Sequence, residues 1–141
     1  MDFDLKRFTD AQRRDYERAL SEIKNGRKRT HWMWYIFPQL RGLGVSETAY
    51  RYGISGLEEA RAYLNDPVLG ARLKEISEAL MALDDKDASS IFGWPDDLKL
   101  RSCMTLFSLV SEAGSVFHRV LDAYFDGERD DRTLKMLKVT P

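Results

Sequence analysis

One cysteine, Cys103, in 141 residues rules out an internal disulfide, which points to a reducing compartment. Two histidines and that cysteine, with no H-E-x-x-H or C-x-x-C pairing, supply no transition-metal set. The acidic turn Asp84-Asp85-Lys86-Asp87 lacks the glycine and terminal glutamate of a calcium loop. Phosphate-binding glycine loops, dinucleotide fingerprints and G-x-S-x-G elbows are missing too, so no cofactor and no metal are expected. No apolar run approaches the ~18 residues needed to cross a bilayer, and Met1-Asp2-Phe3-Asp4-Leu5 carries no secretory core. The cytoplasm is the expected location, with no membrane partner. An excess of one charge sign is also lacking, since 22 cations face 23 acids. A dedicated nucleic-acid binder carries a strongly basic footprint, so that class is set aside as well.

What is present suits a globular domain. The hydrophobic fraction is 43%, and a chain of this length buries roughly 68–70% of its unfolded surface. One domain over residues 1–141 is expected. Leu5, Phe8, Gln12, Tyr16, Ala19, Leu20 and Ile23 recur at helical steps, predicting a helix over 5–25 with Asp4 as N-cap and Gly26 as stop. Thr9-Asp10 is a point where it can break. Short helices are predicted over 47–52 and around 88–92, and a longer one after Ser55. Asp66-Pro67 opens a helix to Leu83, with Leu69, Leu73, Ile76, Leu80 and Leu83 on one face. Helices over 97–113 and 116–125, the latter capped by Ser115, and a terminal piece after Asp130 or Asp131 complete the chain. With no βαβ alternation, strand ladder or repeat, the expectation is an all-α orthogonal bundle of about six to seven helices.

The densest stretch is Gly26-Arg27-Lys28-Arg29-Thr30-His31-Trp32-Met33-Trp34-Tyr35-Ile36-Phe37-Pro38-Gln39. Three cations run into an aromatic block that is too short for periodicity to decide helix from strand. The cations after a helix end serve its dipole, or else Arg27 and Arg29 take the oxygens of an anion in bidentate fashion. Trp32, Met33, Trp34, Ile36 and Phe37 form the central plug of the bundle, or else one ring is exposed for stacking. His31 is a structural histidine or a general acid or base. Lys99, at the edge of the stripe Leu100-Cys103-Phe107-Val110, snorkels or points at an anion. Cys103 on that stripe reads as inert core, and His118 is given no role.

The same stretch resembles the signature of the family catalogued as domain of unknown function 1810. Ala62-Tyr63-Leu64, Asp66-Pro67-Val68-Leu69-Gly70, Ile91-Phe92-Gly93 and Asp97 through Phe107 are similar to it as well, with Cys103 standing where serine is common. The resemblance implies a compact all-helical domain, mostly bacterial, and no established activity. A calpastatin label is sometimes attached to this family. A calpastatin is a long flexible inhibitor, whereas this chain has a full set of core residues and 4 prolines.

Two functional readings follow. The first is a pocket for an anionic, phosphate-bearing small molecule. Arg27, Arg29, His31 and Lys99 supply charge there, Trp32, Trp34 or Tyr35 a stacking face, and Gln39 orientation; in an enzymatic variant His31 or Asp97 carries the proton. The second is a protein–protein interaction module with Trp32–Phe37 as an exposed hot spot.

Overall fold

The computed structural model describes residues 3–139, which contain nine helices: α1 (Lys6–Lys24), α2 (Met33–Ile36), α3 (Glu47–Tyr52), α4 (Leu57–Asn65), α5 (Leu69–Met81), α6 (Ala88–Phe92), α7 (Asp96–Ser108), α8 (Val116–Phe125) and α9 (Asp131–Leu137). The chain is all-helical as expected. The count exceeds six to seven because several pieces are short, α2 being a turn of four residues inside the aromatic block. Among the described residues the only extended pairing is one parallel bridge between Leu40 and Ile54.

Local chemistry accounts for most boundaries. α1 runs unbroken through Thr9-Asp10 and stops at Gly26, whose φ of 78° suits a residue without Cβ. Its N-cap is Leu5 rather than Asp4, with no side-chain cap. Ser46, Ser115 and Asp130 each accept a backbone N–H three residues on, opening α3, α8 and α9. Asp66 accepts from the N–H groups of Val68 and Leu69, so the helix expected from Pro67 settles into regular form at Leu69. Ser55 does not cap α4 with its side chain; Gly56 is the N-cap, and Glu59 reaches back to the Ser55 N–H at 2.8 Å. α7 ends at Ser108, five residues before the expected Ala113, and Leu109–Ser111 continue as turns.

α5 lies between α1 and α8, α8 packs on α7, and α2 sits on α1, with α6 and α9 against α7. Their apolar faces share one core that includes Phe8, Trp32, Phe37, Tyr63, Leu73, Phe107 and Phe117, all at most 1% exposed. Cys103 lies in it, fully buried, and burial pushes its thiol well above the ordinary range, which agrees with an inert core role.

α1 docks the aromatic stretch with polar groups. Gln12, Asp15 and Glu22 recur at three and seven residues, the spacing of the apolar stripe, and all three are buried. Gln12 donates from Nε2 to the Tyr35 carbonyl at 2.7 Å and to the Tyr63 hydroxyl at 3.0 Å. Asp15 accepts from the Tyr35 hydroxyl and from Arg18. Glu22 accepts from the backbone N–H of Arg29 (2.7 Å) and Thr30 (3.0 Å), the Thr30 hydroxyl (2.7 Å) and the Trp32 indole (3.0 Å). Burial pushes the Glu22 carboxyl up, but these four hydrogen bonds outweigh it and hold it down at about 2.

Candidate cleft beside Trp34 and Lys99

The two ends of the signature stretch face different surroundings. Arg27, Arg29 and His31 are exposed. Their backbones, rather than their side chains, are engaged: Arg27 N–H donates to the Glu22 carbonyl, Arg29 N–H to the Glu22 carboxylate, and the His31 carbonyl accepts from the Tyr35 hydroxyl. Lys28, absent from the expected site, turns inward instead. Its ammonium is 5.1 Å from the Trp32 ring centroid and 2.9 Å from Asp96, with the side chain 8% exposed.

Trp32 is wholly buried, with its indole N–H on Glu22 and its ring tilted against Phe37 at 6.2 Å. It leaves no face for a ligand, which corrects the expectation of stacking there. Tyr35 is buried as well, its hydroxyl engaged by Asp15. Met33, Ile36 and Phe37 are at most 2% exposed. The hot-spot reading of Trp32–Phe37 therefore loses its exposed apolar surface, because packing on α1 and against Phe92 buries all but one residue of the segment.

That residue is Trp34, half-buried at the wall of a cleft of about 570 Å³. The cleft lies between the aromatic turn, the 43–46 loop with the start of α3, α7 and the start of α9. Its polar lining comprises Gln39, Ser46, Lys99, Arg101, Ser102, Asp130, Asp131 and Arg132, and Leu43, Val45 and Leu98 are part of its apolar lining. Of the expected ligand residues, Trp34, Gln39 and Lys99 meet here; Arg27, Arg29, His31 and Trp32 contribute nothing to it. Asp97 faces elsewhere, accepting from the Ser89 hydroxyl at 3.1 Å and from the Leu98 N–H.

Charge in the cleft is unevenly satisfied. The Lys99 ammonium sits 5.6 Å from the Trp34 centroid and 3.5 Å from Asp96, which is shared with Lys28. Asp130 is engaged internally, its Oδ2 accepting from Ser102 and from the Thr133 N–H and hydroxyl. Among the described residues Arg101 has only long contacts to acids, 3.9 Å to Glu128 and 3.9 Å to Asp130, and its buried Nε has no acceptor. Buried guanidinium donors are ordinarily matched, so this one is an exception in the fold. Arg101 escaped the sequence reading because an arginine on an amphipathic helix looks like any solvated charge. The acceptors Asp130 and Glu128 come from a loop far along the chain.

The model of the family described as "Protein of unknown function (DUF1810)" matches residues 2–137. The chain belongs to this family. A solved structure is similar throughout: the crystal structure of the conserved hypothetical protein Rv1873 from Mycobacterium tuberculosis superposes with a TM-score of 0.94 at 51% identity, covering 98% of this chain and 99% of that one. No curated protein matches the chain. Among the described residues of this DUF1810 protein no helix is long and apolar enough to cross a membrane, and no cluster of three metal-ligating side chains occurs.

Proposed function

We propose that the Trp34–Lys99 cleft binds an anionic, phosphate-bearing small molecule. The observation that carries this reading is Arg101: a guanidinium on the cleft wall whose contacts to acids among the described residues are all 3.9 Å and whose buried Nε lacks an acceptor among them. Lys99, two residues earlier on α7, lines the same cleft. Phosphate oxygens are the acceptors such a pair takes best, the arginine through its planar fork and the lysine as a point charge. Trp34 contributes by holding the Lys99 ammonium against its ring, while Gln39 offers an amide that donates and accepts. A volume of about 570 Å³ suits a small ligand. The reading is one of binding; neither His31 nor Asp97 lines the cleft to carry a proton.

A thermal-shift screen against nucleotides and sugar phosphates tests it. A ligand at 100 times its Kd adds about 2.7 kcal/mol of stability. The expected result is a shift for at least one phosphate compound that disappears in both Lys99→Met and Arg101→Met. A flat screen, or hits that survive both substitutions, defeats the reading.

A further inference from the structure

A second group of cations lies outside that cleft, where the loop after the aromatic turn meets the loop before α4. Two hydrogen bonds of the parallel bridge join them, Arg41 N–H to the Ile54 carbonyl at 2.8 Å and Ile54 N–H to the Gln39 carbonyl at 2.9 Å. Gly53 permits the approach, since a Cβ there would stand 2.6 Å from the Arg41 Cα. The result is a cleft of about 370 Å³ around Arg41, Arg51 and Ser55, floored by Arg7 and Glu59, with Asp4 on its edge.

The floor is electrically closed. Arg7, 8% exposed, donates to Glu59 at 2.9 Å and to the Arg51 and Gly53 carbonyls at 2.7 and 2.9 Å. The other Glu59 oxygen accepts from the Ser55 N–H. The rim is different. Arg41 donates from Nε to the Tyr50 carbonyl and lies 4.6 Å over the Tyr50 ring, and among the described residues the terminal nitrogens of its fork have no hydrogen-bond partner. Arg51 lies 5.6 Å from the Tyr52 ring. Among the described residues neither meets a carboxylate within ion-pair distance. Aromatic support orients both guanidinium groups in advance, which lowers the ordering cost of binding.

We propose that Arg41 and Arg51, above the closed Arg7–Glu59 pair, form a second site that takes the oxyanion head, phosphate or carboxylate, of a small molecule. It stands independently of the Trp34–Lys99 cleft, whose residues it does not share.

Amide chemical-shift titrations of the full chain with inorganic phosphate, and separately with acetate, test this against sodium chloride at matched ionic strength. The expected result is saturable shifts centred on residues 41, 51 and 53–55 for at least one of the two anions. Arg51→Met should weaken binding at least about tenfold, and Arg41→Lys should too, because an ammonium lacks the fork; Lys99→Met should leave it unchanged. The phosphate and acetate arms say which head is preferred. Equal shifts with chloride, no saturation with either anion, or unchanged affinity in the Arg51→Met protein overturns the proposal. Arg51 is exposed, so that variant decides the question even where an Arg41 variant fails to fold.

Discussion

Trp32 and Trp34 stand two residues apart in one aromatic run, yet they do opposite work. Trp32 is wholly buried, its indole N–H on the Glu22 carboxylate and Lys28 on its ring. Trp34 borders the cleft of about 570 Å³, with Lys99 on its ring. Two residues along a helical turn is about 200° of rotation, so a core-facing ring at one position puts the other on the opposite side. Each tryptophan carries a lysine, and the two lysines share Asp96. The same residue pairing thus serves as structure on one side of the turn and as a candidate binding wall on the other.

The widest gap between them should appear in stability. Trp32→Ala is expected to cost about 3–5 kcal/mol, the range for truncating a buried aromatic, whereas Trp34→Ala, whose ring is only partly buried, should cost less, about 1–2 kcal/mol. Urea denaturation of both variants measures this, and equal losses would break the comparison. Next in size is the support under Trp32. Glu22→Ala strands four donors and should cost about 2–3 kcal/mol, read from the same urea midpoints. A loss near zero would mean that the carboxylate does not organise the loop.

A smaller effect concerns pH. The folded-state Glu22 carboxyl is held at about 2, below its ordinary 4.5. A depressed folded value means that the stabilisation is complete above pH 4.5 and declines as the pH falls toward 2. The stability gap between the native chain and Glu22→Gln should therefore be constant above pH 5 and narrow below 4.5. A gap that widens on acidification contradicts the assignment. Smallest of all, Arg29→Ala should change urea stability by less than about 0.5 kcal/mol, because Glu22 holds that residue through its backbone N–H.

The helices were readable because their signals are local. The leucines of α5 repeat on one face, and Ser46, Ser115 and Asp130 cap where such residues cap. The site was less readable, since its geometry depends on partners distant in the chain. Arg27 and Arg29 look like an anion fork in sequence, but a glutamate on α1 pins their backbones and leaves their side chains exposed. Asp15 and Glu22 went unnoticed as acids on an amphipathic helix, although their stripe spacing with Phe8, Gln12 and Ala19 did carry a signal of burial. Lys99 was legible as an edge residue. Arg101 was not, because only the tertiary fold shows that its acids stop 3.9 Å short.

The most direct test of the central claim uses Trp34 as its own reporter. In a Trp94→Phe background the exposed indole is removed and Trp32 remains shielded. Titration with AMP and with glucose 6-phosphate should change the remaining emission saturably for at least one of them, and Lys99→Met in the same background should abolish that change. Emission that stays flat with both compounds, or a response that Lys99→Met leaves intact, contradicts the binding role assigned to the cleft.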